Sequence, residues 1–193
     1  MRYAQLSVLA ILFVFPIFSS AQDYSDKSSE QWVRLLKDKN PDVRQTAVHA
    51  LGILRVRDKE AIAALAERLK DREERIRAEA ADSLGRIGYS ARGTLPRLID
   101  VLKTEKADSV RAASALAIGY VGGSKEAVDV LAEALRKDKC ALVRSHAARA
   151  LARMGRVAKP AVPALVIALK DSHVDVRRNA YYALKRLDPS KLR

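Results

Sequence analysis

The sequence contains a single cysteine, Cys140, among 193 residues. One thiol excludes an internal disulfide scaffold and a zinc site built from several thiolates. Aromatic residues are also scarce, at 5% of the chain, and all three phenylalanines lie before residue 20. The rest of the protein must therefore build its core from Leu, Val, Ile and Ala. With 49% apolar and 31% charged residues, the composition predicts a folded unit rather than a disordered tail or a membrane-embedded chain.

The N-terminal apolar run is too short to span a membrane. It extends from Leu6 to Phe18, which is 13 residues, whereas a transmembrane helix needs about 20. Arg2 precedes the run, and Ser19-Ser20-Ala21 supplies the small residues of a signal-peptidase site. We predict a cleaved signal peptide over residues 1–21, a short linker over 22–27, and hence an exported protein, periplasmic or extracellular. An uncleaved N-terminal anchor is the alternative.

Acidic residues are few compared with basic ones. The chain has 36 Lys and Arg against 23 Asp and Glu, a formal charge of +13 at pH 7. The predicted signal peptide contains only one charged residue, Arg2, so its removal would leave +12. At an exported location this balance favours anionic partners, such as acidic proteins, envelope polymers or released nucleic acid.

Five repeats of similar length follow the N-terminal segment. In each repeat a β-branched residue precedes an arginine, and the successive arginines stand 33, 34, 33 and 33 residues apart. A small residue follows each arginine by three positions, and a Leu or Ile follows it by seven. The five pairs are Val43-Arg44, Ile76-Arg77, Val110-Arg111, Val143-Arg144 and Val176-Arg177. Repetition at this period is the signature of a solenoid.

Each repeat carries two helical patterns separated by a short polar turn, and no strand-like alternation is present. Asn40-Pro41 illustrates a predicted helix start, with Asn40 as N-cap and Pro41 in the first helical position. Glycines mark three of the far ends, where a left-handed residue can close a helix. These glycines are Gly88, Gly122 and Gly155.

The repeated pattern resembles a known family. Lys-Asp-x₄-Val-Arg-x₂-Ala-x₂-Ala-Leu-Gly, nearly whole from Lys37 to Gly52, resembles the short HEAT repeat of the phycobilisome-lyase type. The resemblance covers residues 28–188 and implies an all-α fold, an α-solenoid (armadillo-type superhelix) of about five stacked HEAT-like helix pairs. Each second helix would line the concave surface, and residues 189–193 would remain as a C-terminal tail.

We expect ten helices, with residues 28–38 as an N-terminal half-repeat. The residues predicted on the buried face of that first helix are Trp32, Val33, Leu35 and Leu36. The motif also has a glycine eight positions after the arginine, and this position is not uniform. It is Gly52, Gly85 and Gly119 in the first three repeats, then Ala152 and Lys185.

An acidic residue stands six positions before every repeat arginine. Because all five repeats share this pair, we interpret it as structural: the acids and arginines pair within or between repeats, as a partly buried ladder that fixes the stacking angle. The predicted ladder consists of Asp38, Arg44, Asp71, Arg77, Glu105, Arg111, Asp138, Arg144, Asp171 and Arg177.

A binding site is expected where the repeats differ. The positions one, five and nine after each arginine share one helical stripe, and this stripe becomes basic and aromatic in the C-terminal half. Guanidinium groups bind carboxylates or phosphates bidentately, and tyrosine adds stacking area. The predicted concave patch consists of Tyr120, Arg149, Arg153, Arg178, Tyr182 and Arg186, with His146 at its margin.

This patch predicts a scaffold that binds a protein partner through an acidic or extended segment. The alternatives are charge-driven binding of a polyanion (nucleic acid, anionic glycan or lipid headgroup) and a solvated face without a partner. Tyr181 and Tyr182 could equally cap the end of the stack.

Enzymatic function is not supported by the residues. His49, His146 and His173 lie in three different repeats, outside any H-E-x-x-H motif. The His-Glu dipeptides of HEAT-type hydroxylases are absent, and no residue matches a bilin lyase role, so we predict no catalytic residue, metal or cofactor. Cys140 is expected near a helix start, either as a half-buried free thiol or in an intermolecular disulfide.

Overall fold

The computed structural model describes residues 24–192, so the predicted signal peptide at 1–21 lies outside the described residues. This part of the chain consists of α-helices joined by turns and 3-10 segments, without a β-strand. The helices are α1 (Ser29–Leu35), α2 (Pro41–Ile53), α3 (Lys59–Glu67), α4 (Glu74–Ile87), α5 (Leu95–Thr104), α6 (Asp108–Val121), α7 (Lys125–Lys137), α8 (Ala141–Met154), α9 (Val162–Ala168) and α10 (Val174–Leu187). The predicted all-α fold is confirmed, and the described residues contain the ten helices expected.

The helices form two layers. The even-numbered helices pack side by side in chain order, from α2 to α10, and make the most extensive contacts in the protein. Each odd-numbered helix packs against the even-numbered helix of its own repeat, as α5 does on α6 and α7 on α8. This arrangement is the predicted solenoid, and it buries faces that an isolated helix pair would leave in water.

The helix ends form as the sequence indicates. The Asn40 side chain accepts a hydrogen bond from the Asp42 amide, and Pro41 occupies the first turn of α2. Helices α4, α6 and α8 each end at a glycine with positive φ, a conformation that costs other residues energy. The φ angles are 70° at Gly88, 138° at Gly122 and 62° at Gly155.

The core is a column of aliphatic side chains. The residue seven positions after each repeat arginine is wholly buried, and burying such a side chain stabilises the fold by about 1.5–3 kcal/mol. These residues are Leu51, Leu84, Ile118, Leu151 and Leu184. The small residues three positions after each arginine are also buried, so the even-numbered helices can approach closely. These are Ala47, Ala80, Ser114, Ala147 and Ala180.

The recurrent glycines stand where neighbouring even-numbered helices meet. A Cβ atom added at Gly119 would lie 2.7 Å from the Cα of Ala150, and one added at Gly85 would lie 3.2 Å from the Cα of Ala117. At Gly52 the space is filled by Ser83 of α4, whose hydroxyl donates to the carbonyl of Val48 in α2 at 3.0 Å. The glycine is therefore required by packing rather than by backbone conformation.

The N-terminal end of the stack is covered by residues expected to be a linker. Tyr24 is buried, and its carbonyl accepts a hydrogen bond of 3.3 Å from Trp32 Nε1. The two rings meet edge to face, with centroids 5.9 Å apart. Tyr24 therefore belongs to the folded domain. Of the predicted buried face of α1, Trp32 and Leu36 are buried, while Val33 and Leu35 are partly buried.

The C-terminal end of the stack is more exposed. Tyr181 is 45% exposed, although the equivalent residue in each earlier repeat is wholly buried by the repeat that follows. Those equivalents are Val48, Ala81, Ala115 and Ala148. The predicted tail is not separate from the fold, because Pro189–Leu192 forms a 3-10 turn and Leu192 packs against the core.

Candidate functional site

The repeat arginines join each repeat to the next. Arg44 Nε and Nη2 each lie 2.9 Å from a carboxylate oxygen of Asp71, one repeat further along the chain. The third nitrogen of Arg44, Nη1, donates to the carbonyls of Asp38 and Lys39 in the turn of its own repeat. We call this bidentate contact, in which Nε and Nη2 of one arginine bind the two oxygens of one carboxylate, the ladder fork. The same fork, with N···O distances of 2.8–3.3 Å, recurs at three other places. These are Arg77–Glu105, Arg111–Asp138 and Arg144–Asp171.

The two end members of the predicted ladder have no such link among the described residues. Arg177 Nη1 donates to the carbonyls of Asp171 and Ser172 at 2.8 Å, as its equivalents do, but no described carboxylate binds its other nitrogens. At the other end, Asp38 accepts the Asn40 amide at 2.8 Å and receives no arginine fork. Within residues 24–192, the ladder thus links four arginine–acid pairs and leaves one acid and one arginine unlinked at its two ends.

The ladder carboxylates have lowered pKa values. Burial alone would raise the pKa of Asp71, but the hydrogen bonds from Arg44 and the Glu73 amide outweigh it and hold the pKa below the ordinary 3.8. At Asp171 the hydrogen bonds from Arg144 are the largest influence, and they lower its pKa in the same direction. The four linked carboxylates are therefore ionised at neutral pH, and the arginine bound to each one cancels its charge.

Tyr120 and Arg153 come together on the surface of the even-numbered helices. The Arg153 guanidinium carbon lies 3.8 Å from the centroid of the Tyr120 ring. This cation–π contact joins the third repeat to the fourth. It unites two residues of the predicted patch that are 33 positions apart in the sequence.

The Tyr120–Arg153 pair lines a cavity of about 600 Å³ together with Arg55, Arg86 and Tyr89. Arg86 Nη2 lies 2.6 Å from Asp82 Oδ2, whereas its buried Nη1 has no hydrogen-bond partner. Arg55 is the one non-glycine residue with positive φ in the described chain, at 47°. The cavity therefore contains three guanidinium groups, two phenol rings and one carboxylate, that of Asp82, which already binds Arg86.

Sequence reasoning did not include Arg55 and Tyr89 in the patch. They stand eleven and twelve positions after their repeat arginines, in the turns that follow α2 and α4, whereas the stripe ends at the ninth position. A basic or aromatic residue directly after a second helix is the signal that could have found them. The structure shows that these turns fold back beside the ends of the neighbouring even-numbered helices.

Four other predicted patch residues lie on the last two even-numbered helices. Arg149 and Arg186 are exposed and form no ion pair within residues 24–192. Arg178 pairs with Asp175, Nη2 to Oδ1, at 2.6 Å. Tyr182 is 58% exposed and meets Tyr181 edge to face.

His146 does not line the cavity that contains Tyr120 and Arg153. Its Nδ1–H donates to the carbonyl of Ala112 at 3.0 Å, and its side chain lines a different cavity with Leu142 and Glu79. His49 contacts Glu79 Oε1 through Nδ1 at 2.8 Å. Both imidazoles thus serve contacts between repeats.

No group of three or more His, Cys, Asp or Glu residues between 24 and 192 is placed to hold a metal ion. Over the same residues, every helix is too short or too polar to cross a membrane. Cys140 is the N-cap residue of α8 and a partly buried free thiol.

The family model for HEAT repeats matches residues 29–119 and 95–185, which together cover most of the chain. The chain belongs to the HEAT-repeat family. The structural neighbours support a HEAT-repeat protein of the phycobilisome-lyase-like type. None of the curated proteins compared with this HEAT-repeat protein matches it in sequence.

Solved structures with the same architecture include natural and designed proteins. The complex of CpcE and CpcF of phycocyanin lyase from Nostoc sp. PCC7120 is 25% identical, with a TM-score of 0.73 over 86% of this chain and 67% of that chain. The E. coli protein YibA is 22% identical, with a TM-score of 0.65 over 100% and 68% of the two chains. A computationally designed armadillo repeat protein for modular peptide recognition is 22% identical, with a TM-score of 0.57 over 81% of each chain.

Proposed function

We propose that this HEAT-repeat protein is an exported interaction scaffold that performs no chemistry. It binds a protein partner, through an acidic or extended segment, on the concave surface formed by the even-numbered helices. The HEAT and armadillo folds support the general role, because repeat proteins of this fold bind protein partners. The designed armadillo protein for peptide recognition is an example of such binding in the same architecture.

The observation that carries the proposal is the cavity around Tyr120 and Arg153. Stacking on Tyr120 holds the Arg153 guanidinium in place, and a fixed guanidinium loses less entropy when it binds a carboxylate. Arg86 adds a buried Nη1 without a partner, which an acceptor on a ligand would satisfy. A carboxylate side chain of an extended peptide meets both requirements.

Arg149, Arg178, Tyr182 and Arg186 extend this chemistry towards the C-terminal end of the stack. Arg149 and Arg186 have no ion-pair partner among the described residues, so their charges are available to a ligand. Exposed tyrosine next to arginine is the composition typical of interface hot spots. A partner segment that begins in the cavity at Tyr120 would thus find further cations along α8 and α10.

The test is affinity capture with the C-terminally tagged protein from a native envelope extract, with washes of increasing salt. The bait variant is Arg149→Glu with Arg153→Glu, which reverses two patch charges. Its matched control, Lys59→Glu with Lys125→Glu, reverses two exposed charges at the starts of odd-numbered helices. Once identified, the partner is purified and its affinity for each protein is measured by calorimetry.

We expect the complex with the partner to survive a moderate-salt wash. The patch variant, Arg149→Glu with Arg153→Glu, should bind the partner at least about tenfold more weakly, which corresponds to about 1.4 kcal/mol. The control variant should bind as the unaltered protein does, and circular dichroism should show the same helicity for all three. Equal affinity of the patch and control variants would remove the patch from consideration.

Export is supported by the apolar run and the small residues before Gln22. N-terminal sequencing of the protein from its native source tests this part directly. A chain that begins at Gln22 in the exported fraction is the expected result. A chain that keeps Met1 would instead indicate an N-terminal anchor or retention inside the cell.

A further inference from the structure

The turns that contain the ladder acids also carry a row of exposed cations. In three turns a basic residue stands on both sides of the acid, as in Lys37-Asp38-Lys39, and in the other two turns one side is basic. We name this row the lysine edge. It consists of Lys37, Lys39, Lys70, Arg72, Lys106, Lys137, Lys139 and Lys170, all of which are exposed.

The first two turns of the lysine edge form a continuous surface. Lys37, Lys39, Lys70 and Arg72 line one cavity of about 530 Å³, whose floor is the first ladder link. Arg68 lies in the same cavity wall, and its Nε has no hydrogen-bond partner. Because the ladder fork repeats with the same geometry, the later turns follow along the same edge. At the usual helix spacing of 8–10 Å, the four intervals between the five turns extend over about 32–40 Å.

The ladder makes this edge strongly positive. An unpaired aspartate in a turn would offset the charge of one neighbouring lysine or arginine. The charge of Asp71, however, is already balanced by Arg44, and its carboxylate also accepts a hydrogen bond from the Glu73 amide. In the four turns from Asp71 onwards, the lysines and Arg72 are thus left as the uncompensated charges. In the first turn Asp38 receives no arginine fork and offsets one of its two lysines. Apart from the turn acids themselves, acids within residues 24–192 form ion pairs with the row in two places: Glu73 lies 3.8 Å from Arg72, and Glu133 lies 3.2 Å from Lys137.

The chemistry of the edge favours one kind of polyanion. None of its five turns contains an aromatic residue, so it has no platform on which single-stranded bases could stack. None contains an exposed large apolar residue, so it has no anchor for a lipid surface. Lysines contact phosphates as point charges without reading sequence. A length of about 32–40 Å is close to one turn of duplex DNA, which measures about 34–36 Å.

We propose that the lysine edge binds the phosphate backbone of duplex nucleic acid without regard to base sequence. This activity goes beyond the proposed protein-binding function, and it uses different residues on a different surface. The ladder has a second role here, because it neutralises four of the five turn acids, which would otherwise repel the phosphates.

The experiment is a fluorescence-anisotropy titration of a labelled DNA duplex of about 25 base pairs with the purified protein, at several salt concentrations. Contact with about five phosphates predicts a slope of log K against log salt near −4 to −5, and a loss of affinity of several hundredfold between about 50 and 200 mM salt. Two duplexes of unrelated sequence should bind equally.

The edge variant replaces Lys37, Lys39, Lys70 and Arg72 with glutamine. It should bind duplex at least about tenfold more weakly at low salt, and its salt slope should decrease in magnitude by about 3. The matched control replaces Arg149, Arg153, Arg178 and Arg186 with glutamine. This control has the same net charge as the edge variant and should keep most of the duplex affinity, although it should lose the protein partner.

An equal loss of duplex binding in the two variants would show that net charge alone is responsible, and would overturn the proposal. Tighter binding to a single strand, or to vesicles of half anionic lipid, than to the duplex would overturn it as well. Because each variant addresses one surface, failure of duplex binding leaves the proposed protein-binding function standing, and the converse also holds.

Discussion

Glu105 binds Arg77 of the preceding repeat over a sequence separation that is one residue longer than that of any other linked ladder pair. Its Oε2 lies 2.9 Å from Arg77 Nε although it stands 28 positions after that arginine. Asp71, Asp138 and Asp171 stand 27 positions after theirs. Glutamate is longer than aspartate by one methylene, so the longer side chain accompanies the longer spacing. The ladder link is therefore kept despite one additional residue between the repeats.

We expect Arg111→Ala to be strongly destabilising. Arg111 is 9% exposed at its side chain and binds Asp138, Asp108 and the carbonyls of Glu105 and Lys106. Its removal leaves the half-buried carboxylate of Asp138 without its arginine, which costs about 1.5–3 kcal/mol in free energy of unfolding. Urea unfolding followed by circular dichroism measures this loss.

Arg177→Ala is the matched control for this prediction. Arg177 makes the two carbonyl contacts of a ladder arginine but binds no carboxylate of the described chain. The expected cost is about 1 kcal/mol. If the two substitutions destabilised the protein equally, the links between repeats would not be the source of ladder stability.

The stability of the protein should fall in acid. The pKa values of Asp71, Glu105, Asp138 and Asp171 are lowered in the folded state from ordinary values of 3.8 for Asp and 4.5 for Glu. A lowered pKa contributes stability that is fully present above the unfolded value and is lost as the pH falls through the folded value. We expect a nearly constant free energy of unfolding down to about pH 5 and a decline below about 4.5.

Urea unfolding at a series of pH values measures this decline. Asp171→Asn removes one of the titrating groups, so its stability should be lower at neutral pH and should fall less steeply in acid. A parallel decline in the variant and the unaltered protein would show that Asp171 does not contribute through its charge.

Gly119→Ala should destabilise the contact between α6 and α8. The new methyl group would lie 2.7 Å from the Cα of Ala150, and backbone atoms cannot move aside as a flexible side chain can. We expect a cost of about 1–3 kcal/mol from this overpacking. Gly93→Ala is the control, because a Cβ there meets nothing within 4 Å. Thermal melts in which both variants matched the unaltered protein would contradict the close helix approach.

The fold could be predicted because it depends on positions that recur. The spacing of Val43-Arg44 and its four equivalents fixed the number of repeats, and the glycine at 88 marked a real helix end with positive φ. Tyr24 could not be assigned to the fold in this way. It lies before the first repeat, and only the ring contact with Trp32 shows that it covers the end of the stack.

The candidate site was less predictable because it depends on contacts between repeats. A helical stripe placed Tyr120 and Arg153 on one surface, but their stacking requires the actual offset between α6 and α8. Arg55 and Tyr89 join them from turns, where no helical periodicity applies. The sequence likewise did not show which acid each ladder arginine binds. An acid of the same repeat stands only six positions before the arginine, whereas the acid that the arginine binds stands 27 or 28 positions after it.

The ladder also determines which changes of chain length the protein can tolerate. Each arginine binds a carboxylate of the following repeat and carbonyls of its own turn, so any repeat can follow any other with the link intact. Loss of the segment from Ala112 to Arg144, for example, would place Arg111 27 residues before Asp171, the same separation that it now has from Asp138. Recombination between repeats could therefore lengthen or shorten the solenoid by whole repeats, while deletions of part of a repeat would leave one arginine and one acid without partners.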